Sequence, residues 1–183
     1  LKAIAIDKTG TLTEGKPRLV AWEMLSSSLP QARAEHLAAA LVAQSDHPVS
    51  RAIAAGLTPP GEEPRNFTAL AGRGIEGEID GQRYLLGQRR LIEERGLCTA
   101  AIEAQLRRHE QAGRSVSLLA SPTEVLALFA VADIIKPSSA AAMGELKAMG
   151  ITPVMLTGDN QTTAEAIGRE AGLTDIRGKL LPE

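Results

Sequence analysis

The chain has 183 residues, of which 44% are hydrophobic, 23% charged and only 2% aromatic, with a formal net charge of −2. That length and apolar content can bury a substantial core as one large or two small domains, and the near-neutral charge gives no broad attraction for nucleic acid or anionic membranes. No apolar stretch approaches the roughly 18 residues needed to cross a bilayer, and the single cysteine, Cys98, excludes an internal disulfide and fits a reducing compartment.

In chain order, Leu1 to Ile6 reads as a buried strand, so the chain opens inside an element with no signal peptide, which predicts a fragment. Ser28-Leu29-Pro30 starts a helix that Gln31 to Ala43 continues, and Pro48 opens a shorter one through Ala55, closed by Gly56. Thr58 to Pro64 is a loop. Ile75 to Ile79 and Gln82 to Leu86 form a hairpin around Asp80-Gly81, a pair that supplies the positive φ angles of a tight turn. Helices over Gln88 to Arg95 and Thr99 to Gln111 are followed by a second hairpin, Ser115 to Ala120 and Val125 to Val131. His36 and His109 fall on polar helix faces and receive no function. The last third alternates helix (Ser138 to Met149), apolar strand (Ile151 to Leu156) and helix (Gln161 to Ala171), the pattern of a parallel sheet. The expectation is one discontinuous α/β domain, residues 1–19 and 131–183, interrupted by an inserted α+β domain, residues 20–130, in which helices flank an antiparallel sheet.

The chemistry concentrates at Asp7-Lys8-Thr9-Gly10-Thr11-Leu12-Thr13. Asp7 emerges at the carboxyl end of the first strand, where open α/β sheets hold ligands, and a carboxylate so placed can be a nucleophile toward phosphorus. Lys8 supplies an ammonium, Thr9, Thr11 and Thr13 hydroxyls, and Gly10 lets backbone N–H groups turn toward an anion. Two positions after Asp7, where a phosphatase benefits from a second carboxylate as general acid and base, stands Thr9, so an acyl phosphate should persist. Thr157-Gly158-Asp159-Asn160 repeats the logic after another apolar strand and before a helix N-terminus.

These motifs resemble the P-type ATPases, whose phosphorylation sequence is Asp-Lys-Thr-Gly-Thr on a haloacid-dehalogenase-like, Rossmann-type α/β fold. The resemblance implies Asp7 as phosphoryl acceptor, Lys8, Thr9 and Thr11 beside it, Thr157 and Gly158 on the phosphoryl group, and Asp159 helping to hold the domains in working geometry. It further implies an incomplete Mg²⁺ site at Asp7 and Thr9, and a hinge at Asp133 and Lys136. Asp46-His47-Pro48 and Gly72-Arg73-Gly74, with Gly77 following, resemble the nucleotide-binding domain of the heavy-metal-transporting subfamily, which implies that ATP contacts these residues. The family usually places a glutamate five residues before the histidine. Here that position is Val42, with Gln44 or Asp46 as substitute adenine contacts.

Leu180-Leu181-Pro182-Glu183 resembles the segment leading to the family's Asp-Lys, and neither that lysine nor the later Mg²⁺-binding acidic motif is present. The expectation is therefore a nucleotide-binding fragment with little or no turnover, from the cytoplasmic part of an integral inner- or plasma-membrane protein. In the intact protein its partners are ATP, the exported metal ion, its own transmembrane and actuator domains, and no nucleic acid. Zinc, cadmium or cobalt is favoured over copper on general resemblance. The alternatives are a stand-alone phosphatase or phosphomutase of the same fold and a nucleotide-binding regulatory module.

Overall fold

A computed structural model describes residues 2–178; Leu180 to Glu183, singled out above, lie outside the described residues. In chain order the elements are β1 (Ala3–Asp7), β2 (Arg18–Met24), α1 (Gln31–Val42), α2 (Pro48–Ala55), β3 (Arg65–Leu70), β4 (Gly74–Ile79), β5 (Gln82–Gly87), α3 (Arg89–Glu94), α4 (Ala100–Gln111), β6 (Ser115–Ala120), β7 (Val125–Ala132), α5 (Pro137–Ala148), β8 (Thr152–Leu156), α6 (Gln161–Glu170) and β9 (Asp175–Arg177). They divide into two compact units, one comprising Leu1–Pro17, Arg108–Ser115 and Ala132–Glu183, the other Arg18–Arg107 and Val116–Val131. Among the described residues no helix is long and apolar enough to cross a membrane.

The first unit is built on a three-stranded sheet ordered β1-β8-β9, with both pairings parallel. Its core joins Ile6 and Met155 from the strands to Leu12, Met143 from α5, and Ala164, Ile167, Ala171 and Leu173 on and after α6. α6 starts where the Asn160 side chain accepts the Thr163 N–H at 2.9 Å, satisfying a helix donor that would otherwise be orphaned. His109 belongs here and corrects the expectation of a polar helix face. It is 2% exposed, with ring nitrogens 3.2 Å from the Arg114 guanidinium and 3.4 Å from that of Arg108, because the turn after α4 folds back over it.

The second unit is a six-stranded sheet ordered β2-β7-β6-β5-β4-β3, with antiparallel pairing of β3 to β4, β4 to β5 and β5 to β6. α1 and α2 cover one face through Leu37, Leu41 and Ile53, against Ile75, Leu86, Leu119 and Phe129. α3 and α4 cover the other through Leu91, Ile92, Ile102 and Leu106, against Leu85, Leu118 and Leu128. β7 is apolar throughout for this reason: both of its faces are buried. The alanines of α1 let it approach the sheet closely, and Gly77 on β4 completes the fit, since a Cβ there would meet Pro64 Cβ at 2.9 Å and Leu41 Cδ2 at 3.1 Å.

The sequence pattern assigns no strand at β2, β3 or β9. β3 has no alternating pattern because it is a largely exposed edge with an irregular register between Arg65 and Thr68, and β9 has three residues, too few to display a period. Ser28 does not start α1; its N–H bonds the Ser26 hydroxyl, and the helix begins at Gln31 after Pro30.

Candidate active site

Parallel pairing decides what meets at the sheet edge. Asp7 is the register partner of Leu156, so the loops that leave β1 and β8 exit side by side at the carboxyl ends of the strands. The loop after Asp7 keeps Thr9 extended (φ −75°, ψ 121°) and turns at Gly10 (φ 76°), a left-handed conformation that costs glycine nothing. Leu12, 1% exposed, plugs the loop into the core, and the Thr13 N–H closes it on the Lys8 carbonyl at 3.1 Å. Asp7, Thr9 and Thr11 stay at the surface.

The two loops are joined by charge. Lys8 is buried, and its Nζ lies 2.5 Å from Asp159 Oδ2, with both side chains less than one-fifth exposed. Thr157, also buried, accepts the Asp159 N–H on its hydroxyl at 3.2 Å and donates its own N–H to Arg177 at 3.1 Å, while Gly158 is exposed beside it. Asp159 Oδ1 lies 3.5 Å from the Ser115 hydroxyl, a partner 44 residues away that no local sequence signal announces. The arrangement offers a surface carboxylate, an ammonium held by a second carboxylate, and turn backbone around one sheet edge, the components of a phosphoryl-transfer site.

Asp133 and Lys136 hold the first loop from behind. The buried Thr13 hydroxyl donates to Asp133 Oδ2 at 2.6 Å and accepts the Gly10 N–H at 3.3 Å, while Asp133 Oδ1 accepts the Lys16 N–H at 3.1 Å. Lys136 Nζ donates to the Gly10 carbonyl at 2.6 Å, and the Lys136 N–H and Ser139 hydroxyl both donate to the Leu12 carbonyl. Thr13 and Ile135 form an antiparallel bridge, so the outgoing and returning chains at 13–16 and 133–136 are tied directly to the Asp7 loop.

In the second unit, His47 precedes α2 and its Nδ1 accepts the Val49 N–H at 3.3 Å, leaving Nε2 at the surface; Pro48 is the first helical residue, and Asp46 pairs with Arg51 at 3.0 Å. Gly72 (φ 66°) and Gly74 (φ 152°) flank Arg73, whose carbonyl accepts the Gln88 N–H at 2.8 Å and whose guanidinium pairs with Glu94 at 3.0 Å. At Gly74 no side chain fits, since a Cβ would strike the Leu86 carbonyl oxygen and lie 2.5 Å from Gly87 Cα. Val42, at 1% exposure, is part of the core, whereas Gln44 lines a polar cavity of about 330 Å³ with Ala43, Pro60, Gly61, Glu62 and Glu63. The loop bounding that cavity is pinned to α1: Glu62 accepts from Arg33 at 3.1 Å and lies 2.7 Å from His36 Nε2. The His36 bond, then Arg33, hold the Glu62 carboxyl below the usual carboxylate range.

Among the described residues two groups bear on metal binding. Asp7 offers a surface carboxylate and the extended Thr9 a backbone carbonyl, hard oxygen donors of the kind Mg²⁺ prefers. Glu93, Cys98 and Glu103 bring ligand atoms within 4.8 Å of one another, but Arg89 binds both carboxylates and already serves as their cation. Burial, then the bond to Glu103, push the Cys98 thiol up to about 11.

The profile of the family described as haloacid dehalogenase-like hydrolase matches residues 1–183. The chain is 41% identical over 191 residues to a copper-exporting P-type ATPase of Bacillus subtilis (strain 168) and 35% identical over 191 residues to a probable cadmium-transporting ATPase of Staphylococcus aureus. All of this chain aligns with each, but it spans only 23% and 24% of their lengths. The crystal structure of a zinc-transporting PIB-type ATPase in its E2.Pi state superposes with a TM-score of 0.67 at 34% identity, over 98% of this chain and 29% of that one.

Proposed function

Starting from the fact that the chain belongs to the haloacid dehalogenase-like hydrolase family, we propose that it is the ATP-binding and phosphorylation region of a heavy-metal-translocating P-type ATPase, on the cytoplasmic side of a membrane protein. The observation that carries this reading is the parallel register that sets Asp7 beside the Thr157 loop, with Lys8 and Asp159 bonded across the two. A carboxylate oxygen of Asp7 attacks the γ-phosphorus of ATP, the bond to the β–γ bridging oxygen breaks, and ADP leaves with that electron pair. Thr157 and the N–H of Gly158 bind the phosphoryl oxygens, and Lys8 sits where negative charge develops. Mg²⁺, held in part by Asp7 and the Thr9 carbonyl, would neutralise phosphoryl oxygens. Thr9 in place of a carboxylate leaves water unactivated, so the acyl phosphate lasts long enough to drive a conformational cycle before hydrolysis to inorganic phosphate.

In the second unit the ATP-binding residues are Asp46, His47, Pro48, Gly72, Arg73 and Gly74, with Gln44 a further polar contact in place of the glutamate that Val42 replaces. The small turn residues at Gly72 and Gly74 support this assignment, because they let a ligand reach the backbone. Gly77, filled by Leu41 and Pro64, acts by shaping the sheet beneath. Asp133 and Lys136 are the hinge. The exported ion belongs to the soft and transition metals; relatives named for copper, cadmium and zinc transport are all similar to this chain, so none of these metals is favoured.

The test is phosphorylation of the intact protein with γ-labelled ATP. An acid-stable, hydroxylamine-sensitive label that requires metal ion and is lost in Asp7→Asn is expected. Labelling that persists in Asp7→Asn refutes the assignment.

A further inference from the structure

Gln161, the first residue of α6, belongs to none of the motifs above, yet its carboxamide is fully engaged. Nε2 donates to the Ile176 carbonyl at 3.1 Å and to Glu165 Oε1 at 3.0 Å, and Oε1 accepts the Gly178 N–H at 2.9 Å. Arg177, between those two backbone groups, directs its own carbonyl to Thr157 on the β8 side. One side chain therefore takes up the carbonyl and N–H flanking Arg177 that the β8 ladder leaves over, as a neighbouring strand would. Glu165, one turn along the helix, fixes which end of the amide faces which group.

Gly178 adds a second, independent constraint. A Cβ at this position would lie 2.9 Å from the Asp159 carbonyl oxygen, 3.0 Å from Gln161 Cα and 3.1 Å from Gln161 N. All three are backbone atoms that cannot swing aside. The chain leaving β9 is thus pressed against the peptide that carries Asp159, the residue that holds Lys8.

We propose that Gln161 and Gly178 form a strap and its seat, which lock the second phosphate loop to the exit of β9, so that Gln161 is a positioning residue for phosphoryl transfer to Asp7. It acts through Asp159, whose placement sets where the Lys8 ammonium stands; this rests on the reading of Asp7 as phosphoryl acceptor. A displacement of about 1 Å at such a group costs up to roughly a hundredfold in rate, and loss of the strap alone releases only part of that.

The test uses the intact protein as Gln161→Met, which keeps the side-chain length and removes every bond, and as Gly178→Ala, which fills the seat. Single-turnover phosphorylation by labelled ATP is expected to slow about tenfold in each, with half-saturating ATP unchanged. Hydrogen exchange of the peptide spanning residues 175–178 is expected to quicken about tenfold in Gln161→Met. Unchanged exchange shows no strap, and faster exchange with an unchanged rate shows a strap that positions nothing; either overturns the proposal. A slower rate accompanied by a matching rise in half-saturating ATP also overturns it, because that is general loosening. If the wild-type protein forms no Asp7-dependent phosphoenzyme, the acceptor reading and the positioning role fail together, while the exchange result still decides whether the strap exists.

Discussion

Thr13→Val tests how firmly the Asp7 loop is held. Thr13 is completely buried, and valine matches its shape, so the change removes a hydroxyl and little else. What disappears is a bond to a carboxylate at 2.6 Å, a bond to the Lys8 carbonyl at 3.1 Å and an acceptor for the Gly10 N–H at 3.3 Å. Hydrogen bonds to charged groups contribute about 1.5–3 kcal/mol. Asp133 keeps the Lys16 N–H and some solvent, so it is not stranded, and the expected loss falls at the lower end, about 1.5–2 kcal/mol. The assay is urea unfolding of the chain with Asp133→Asn and the double variant as a cycle, followed by circular dichroism. The single tryptophan, Trp22, stacks on Phe129 in the second unit and serves as an internal control, since its fluorescence midpoint should not move. A coupling energy under about 0.3 kcal/mol, or a fluorescence shift as large as the dichroism shift, refutes the reasoning.

Gly74→Ala is expected to destabilise the second unit by about 2–3 kcal/mol, because φ 152° is strained for alanine and the new methyl meets backbone at Leu86 and Gly87; an unmoved Trp22 unfolding midpoint contradicts this. The folded-state value of Glu62 is depressed, so the stability it contributes is complete above the ordinary value of 4.5 and is lost as pH falls through the lowered value. His36→Phe removes the largest cause and should flatten the acid-side decline of the Trp22 midpoint below pH 4.5; an unchanged slope argues against the pairing. A thiol at about 11 against an ordinary 9.0 holds roughly a hundredfold less thiolate at pH 8, so iodoacetamide should modify Cys98 about that much more slowly in the folded chain than in urea. Equal rates would show that the thiol is unperturbed.

Local chemistry is legible in the sequence wherever one residue type has one use. Asp-Gly between alternating residues dictates the β4–β5 turn, and Asp80 (φ 52°) and Gly81 (φ 76°) adopt the angles that turn requires. Asp7 at a strand end and Thr157 after another were legible because an apolar run that stops at hydroxyls, glycine and carboxylate leaves few alternatives. Strands without a pattern escaped: β3 lies exposed at an edge and β9 is too short, so their existence depends on the strands they pair with. The burial of His109 is not legible, because helical spacing does not foretell a turn that folds back over the helix end.

The sequence by itself determined most elements and the position of Asp7 and Thr157 at strand ends, because these follow from local propensity and spacing. Only the tertiary structure decided the bonds of Lys8 to Asp159, Thr13 to Asp133 and Gln161 to the exit of β9. The first two join residues more than a hundred positions apart; the Lys8 and Gln161 bonds depend on the register of β1, β8 and β9, and the Thr13 bond on the return of the chain at residues 133–136. Register and chain return are set by burying whole faces of helices and sheets, a global condition that no short window of sequence contains.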